Sequence, residues 1–376
     1  MKNWIFTALL ALALIAVGPN GMMSGNKAAA QGFANYNLET IVDGLDGPWG
    51  LAILPDGDML ITELTGDLRH IRNGKLVAQA VAGVPQSLYG GQGGLMDIVI
   101  HPDYAQNRYV YLSLSVGTAS ANALRVIRAR FTGTALEDVS TIFESAPSKN
   151  TKVHYGARMV FLPDNTLLIN VGDGFDLREQ AQNLSNHFGS SVRVTDDGKV
   201  PQDNPFIGVA GAQPEIYSYG HRNQQSIAVE RSTGKIYQTE HGPRGGDELN
   251  VIEPGKNYGW PIATYGIDYS GARISPYTSY EGTKQPLVNW TPSIGPSGMT
   301  IYNGAQFPDW QGDIFVSSLI YNKIIHIEME DGAPQRQNDM FGEIGDRLRD
   351  IRTGNDGALY ILSEGDNGKL WRVSRR

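Results

Sequence analysis

Apolar and polar positions alternate in short runs along almost the whole chain, and the runs recur. Each repeat has an apolar strand, a turn rich in Asp, Gly or Asn, and a second strand ending near a charged residue. The repeats are "PWGLAILPDGDMLITELTGDLRHIRNGK" from Pro48, "GGLMDIVIHPDYAQNRYVYLSLS" from Gly93 with "LRVIRARFTG" as a further strand, and "ARMVFLPDNTLLINVGD" from Ala157. "QSIAVERSTGKIYQTEHG" follows from Gln225, "SGMTIYNGAQFPDWQGDIFVSSLIYNKIIHIEME" from Ser297 and "LRDIRTGNDGALYILSEGDNGKLWRVSRR" from Leu348. Alternation with short turns predicts antiparallel hairpins. Six occurrences at intervals of roughly 45–75 residues predict an all-β fold, a six-bladed β-propeller of four-stranded antiparallel blades. The early segment "YNLETIVDG" is placed to pair with the last repeat and close the ring, leaving no open sheet edge. No Pro- or Ser-rich linker divides the chain after residue 31, so residues 31–376 read as a single propeller domain.

Residues 1–30 have a different pattern. Lys2, the apolar "WIFTALLALALIAV" and an A-x-A site ending at Ala30 read as a secretory signal peptide, too short in its apolar core for a membrane span. The expected location is periplasmic or secreted, with no membrane insertion after cleavage. The chain has no cysteine, which excludes a disulfide framework. Loss of Lys2 and Lys27 lowers the basic count from 31 to 29 against 39 acidic residues, moving the formal charge from −8 to about −10. Such a protein is a poor nucleic-acid binder, and an anionic ligand needs a local group of arginines. No strand–GxGxxG–helix unit is present, which argues against nicotinamide or flavin.

That group is visible just before, or at the start of, the apolar strands. Gln92 lies in "GGQGGLMDI", His154 in "KVHYGARMVF", Arg222 and Asn223 in "YGHRNQQSIAV", and Arg347 and Arg349 in "GDRLRDI". In a propeller this phase faces the central axis, so these side chains are expected in one pocket. A separate stretch, "TEHGPRGGDELNVIEPGKNYGWP" (239–261), is interrupted by Gly and Pro in every helical window. It leaves main-chain carbonyls beside Asp247 and Glu248. Its His241 has no second histidine at ligand spacing.

These strings, densest in "REQAQNLSNHFG", "PEIYSYGHRN" and "HGPRGGDELNVIEPGKNYGWP", resemble the soluble pyrroloquinoline quinone (PQQ)-dependent sugar dehydrogenases, particularly the periplasmic aldose sugar dehydrogenase branch. The resemblance covers most of the chain after the leader and implies the same six-bladed fold. It implies oxidation of aldose sugars at C1 to lactones, with PQQ passing electrons to an external acceptor and His154 as general base. Gln92, Arg222, Asn223, Arg347 and Arg349 then correspond to cofactor-binding positions; guanidinium forks suit the carboxylates of PQQ. Ca2+ is implied as well, held by the Gly242 and Pro243 carbonyls, the Glu248 carboxylate and the Tyr258 carbonyl, a hard-oxygen set suited to that ion.

The chain departs from the family pattern at several positions. Ile320 stands where a basic residue is expected after "IFVSSL", with Lys323 three residues on; Gln224, Ser226, Gly174 and Ser190 also differ. The expectation is weaker cofactor binding or an altered ligand. The alternative reading is a non-catalytic calcium-binding propeller that binds carbohydrate or a protein partner. A calcium-dependent lactonase fits less well, because the axis offers arginines in place of acidic and amide ligands. The Tyr-rich 265–286 segment is expected to wall the sugar cleft.

Overall fold

The computed structural model describes residues 36–376; the proposed leader at 1–30 lies outside them. Each blade is a four-stranded antiparallel sheet, and there are six. Blade 1 holds β2 (Pro48–Ile53), β3 (Met59–Glu63), β4 (Leu68–Arg72) and β5 (Lys75–Leu76), and blade 2 holds β6 (Leu95–Ile100), β7 (Tyr109–Thr118), β8 (Ala121–Phe131) and β9 (Leu136–Glu144). Blade 3 holds β10 (Gly156–Phe161), β11 (Leu167–Val171), β12 (Ser190–Val194) and β13 (Ile216–Tyr219). Blade 4 holds β14 (Gln224–Val229), β15 (Ile236–Glu240), β16 (Asp247–Ile252) and β17 (Val288–Trp290). Blade 5 holds β18 (Pro296–Ile301), β19 (Ile314–Ser318), β20 (Lys323–Glu330) and β21 (Ala333–Met340). Blade 6 combines β22 (Leu348–Thr353), β23 (Leu359–Ser363) and β24 (Gly368–Arg375) with β1 (Tyr36–Leu45). The closure expected from "YNLETIVDG" is therefore present, with Tyr36 opposite Arg375 and Leu38 opposite Val373.

The ring is held by apolar contacts between blades. Leu60, Leu112, Leu114 and Phe131 pack between blades 1 and 2, while Tyr111, Met159, Ile169 and Val192 pack between blades 2 and 3. Because both faces of a blade are covered, strands such as β3 and β11 are buried at every position. Each fully buried Leu or Ile contributes about 1.5–3 kcal/mol.

Strands β2, β6, β10, β14, β18 and β22 line the axis. Every one of them breaks register with its neighbour near its first residues, as between Gly156 and Met159 or between Leu348 and Asp350. A bulge of this kind re-aims side chains beside it. Ala157, in one of these breaks, takes φ +74°. Gly298 serves another: a Cβ there would lie 2.5 Å from the Asp350 carboxylate.

Candidate active site at the axial mouth

His154 sits two residues before β10, with its backbone in the left-handed region at φ +50°. Such a conformation costs a non-glycine residue on the order of 1 kcal/mol or more and needs support from its surroundings. Part of that support is Gln92, whose Oε1 accepts the His154 backbone N–H at 2.7 Å. The buried imidazole pairs through Nδ1 with Asp173 Oδ1 at 2.7 Å. Asp173 also accepts the Phe175 backbone N–H and Trp260 Nε1–H, each at 2.8 Å. A carboxylate at Nδ1 places the proton there and leaves the Nε2 lone pair available. Burial pushes the His154 pKa below 6.5, and the bond to Asp173 works in the opposite direction. The imidazole is thus neutral at pH 7.

Arg222 and Asn223 lie just before β14. The Arg222 backbone N–H donates to Glu240 Oε2 at 2.6 Å, and its Nη1 donates to the Gly242 carbonyl at 2.6 Å. Its guanidinium lies 5.3 Å from the Trp260 ring and borders a cleft of about 290 Å³ shared with Phe175, Pro243, Asp268, Tyr269 and Ile274. Phe175 meets the His154 ring edge-on at 5.1 Å and stacks on Tyr269 at 6.2 Å. Asp268, Tyr269 and Ile274 of the Tyr-rich segment thus line this cleft.

Two buried donors near the axis have no partner: Asn223 Nδ2 and Arg349 Nε. Asn223 Oδ1 accepts from the Gly156 backbone at 3.3 Å and from Gln225 Nε2 at 3.2 Å. Arg349 reaches Gln225 Oε1 at 3.4 Å and pairs with Glu364. Arg347 binds the other oxygen of Glu364 at 2.6 Å and is half exposed. One carboxylate thus holds both arginines.

A second, small cavity of about 20 Å³ is lined by Gly242, Glu248 and Tyr258, together with Glu240 and Arg222; Pro243 lines the larger cleft. Glu240 and Glu248 are register partners across β15 and β16, and both accept from Asn250 Nδ2. Burial and the neighbouring Glu240 charge raise the Glu248 pKa. Asn250 Oδ1 is a buried acceptor without a donor. Among the described residues no group of three or more His, Asp or Glu side chains could hold a metal. A metal site here would therefore rest partly on carbonyls. His241 Nε2–H donates to the Pro296 carbonyl at 2.8 Å, and burial lowers its pKa to about 3.

Some sequence expectations need correction. Asp247, from the sequence only a carboxylate beside those carbonyls, is buried and accepts the backbone N–H groups of Gly242, Ile294 and Gly295. Lys323 does not reach back to the axis, because Asp339 on β21 engages it at 2.6 Å; Ile320 is exposed. Ser190, Gln224 and Ser226 are buried and bonded among blade residues, Gln224 to the Ser190 carbonyl and Ser226 to Thr239. Sequence reasoning missed Asp173, Trp260 and Glu240. The only sequence signal for Asp173 is that it precedes Gly174, one of the positions that depart from the family pattern.

Fold and geometry together define a propeller with an axial, cation-rich site built around one oriented imidazole. The chain belongs to the Glucose / Sorbosone dehydrogenase family, whose sequence profile matches residues 45–372. It is 42% identical over 350 residues to the aldose sugar dehydrogenase YliI of Escherichia coli, covering 91% of this chain and 94% of the relative. The crystal structure of the soluble aldose sugar dehydrogenase from Escherichia coli in its apo-form superimposes with a TM-score of 0.87 at 41% identity, covering 91% and 100% of the two chains. The PQQ-bound aldose sugar dehydrogenase from Streptomyces coelicolor gives 0.74 at 27% identity, covering 91% and 99%.

Proposed function

We propose that the protein is a PQQ-dependent aldose sugar dehydrogenase that oxidises the sugar at C1 to a lactone. The observation that carries this reading is the His154–Asp173–Trp260 chain beside a cleft walled by Arg222 and Tyr269. The donors present fit the cofactor: Arg349 Nε and Asn223 Nδ2 are buried and unpartnered, and a tricarboxylate quinone supplies acceptors. Gln92, Arg222 and Arg347 complete the proposed set. The small cavity fits Ca2+, with the Gly242, Pro243 and Tyr258 carbonyls and the Glu248 carboxylate as proposed ligands.

A quinone held by Asn223, Arg222 and Arg349 would supply the two-electron acceptor for the C1 hydride of the sugar. His154 Nε2 takes the proton of the anomeric hydroxyl, so the C1–O bond gains its second component as hydride and proton leave. Asp173 holds the tautomer that leaves Nε2 free and stabilises the imidazolium once the proton arrives. Phe175 and Tyr269 offer faces against which a pyranose ring packs and water is excluded. An external electron acceptor is what the family resemblance alone implies, and the leader-like first thirty residues support export.

The test is reconstitution of the protein with PQQ and calcium, followed by dye reduction with glucose. Turnover should appear, and His154→Ala should abolish it while quinone binding persists. No spectral change on adding PQQ would instead support a binding module; unchanged turnover in the variant would reject His154 as the base.

A further inference from the structure

Among the inner strands, one buried side chain contacts every blade. Arg158 on β10 is 2% exposed, and all five of its guanidinium N–H donors have acceptors. Nε donates to the Gln225 carbonyl at 2.8 Å. Nη1 donates to Asp97 Oδ1 at 3.0 Å and Asp350 Oδ2 at 3.2 Å. Nη2 donates to the Ser297 carbonyl at 3.0 Å and the Arg349 carbonyl at 3.2 Å. The guanidinium also lies over the Trp49 ring at 4.0 Å. With its own strand, these contacts touch the inner strand of every blade.

Asp97, Arg158, Gln225 and Ser297 fall inside the register breaks of the inner strands, and Asp350 is the first paired residue after another. Arg352, 3.1 Å from Asp350, balances the second carboxylate, so the layer holds two cations and two anions. A separate cavity of about 490 Å³ opens among the ends of β10, β14, β18 and β22. Of this layer, Arg352 lines that cavity.

The connections of Arg158 are specific. Gln225, fixed through its carbonyl by Arg158, uses its side-chain amide on Arg349 Nη1 and on Asn223 Oδ1. Trp49 lies within 5.8 Å of the Arg349 guanidinium as well. We propose that Arg158 is a positioning residue: its fork sets Gln225, Trp49 and the Arg349 backbone so that Arg349 and Asn223 present their free donors to the anionic redox cofactor. The cofactor part rests on the functional reading above; the positioning of Arg349 does not.

Arg158→Lys keeps the charge but replaces a planar fork with a point charge. Its melting temperature should fall, because lysine's three donors leave some of the five buried acceptors unpaired, so binding is compared well below the transition of either protein. Its PQQ dissociation constant, measured by tryptophan quenching and equilibrium dialysis, should rise at least about tenfold, equivalent to about 1.4 kcal/mol. A crystal structure of the variant should show the Arg349 guanidinium displaced from Gln225. Asp97→Asn/Arg158→Met, which removes one charge of each sign, is the second variant should the first fail to fold. Unmoved Arg349 and a dissociation constant within twofold of the parent would overturn the proposal. If the parent protein takes up no PQQ, the functional reading fails, and the crystallographic position of Arg349 alone decides the role of Arg158.

Discussion

Replacing Asp173 with Asn changes almost no volume yet creates a conflict that the hydrogen bonds make explicit. The carboxylate accepts from three donors: the His154 imidazole, the Phe175 backbone and Trp260 Nε1. An asparagine offers one acceptor oxygen and one donor nitrogen. With its nitrogen toward Trp260, two donors face each other, because an indole N–H cannot accept. With its nitrogen toward His154, Nδ1 must accept, and the imidazole proton moves to the Nε2 that the reaction needs. In either orientation the charge-assisted bond that stabilises the imidazolium is lost, worth about 1.5–3 kcal/mol, or roughly a 10- to 150-fold loss in rate. The tautomer change adds to this, so the expected fall in kcat is about 10²- to 10⁴-fold. Stopped-flow reduction of the PQQ-loaded protein, with C1-deuterated glucose as control, reads the chemical step directly. The acid limb of the rate, already below 6.5 in the parent because burial disfavours the imidazolium, should move lower, since Asp173 raises that pKa. A kcat within threefold of the parent and a superimposable pH profile would refute the assignment of Asp173.

Glu248→Gln should abolish most of the thermal stabilisation by calcium, which for the parent protein amounts to about 2.7 kcal/mol at one hundred times the dissociation constant; equal calcium-dependent melting shifts in both proteins would remove Glu248 from the ligand set. Ile320→Lys places a cation where the family pattern has one. As a partly exposed charge it should tighten PQQ binding by about 0.3–1 kcal/mol, roughly two- to fivefold, and less at high salt. Unchanged affinity at low salt would show that this position does not face the cofactor.

The ring, its blade count and its closure were legible because alternation and turn chemistry repeat, and each repeat reports the same two facts. The residues before the inner strands share one phase of the repeat, which is what singles them out together in the sequence. Asp173 was not legible, because its partner Trp260 lies 87 positions away on an irregular insertion, and no local pattern links them. Arg158 was hidden differently. Strict alternation in "GARMVF" assigns sheet faces two by two, and the bulge between Gly156 and Met159 breaks that count where the side chain turns to the axis. Lys323 shows the reverse case: a plausible cation in sequence was claimed by Asp339, a neighbour visible only once β20 and β21 are paired.

With Tyr36 paired to Arg375, both ends of the described chain emerge together on the two outer strands of one sheet. A short peptide bridge could splice them, and new ends could be opened at the tip of another outer hairpin without touching the mouth where chemistry is proposed. Conversely, trimming β1 by its ten residues would strip β24 of its neighbour and uncover a ready-made template for strand exchange between molecules. The first strand thus acts as a clasp, and its loss should appear as self-association before any loss of the axial pocket.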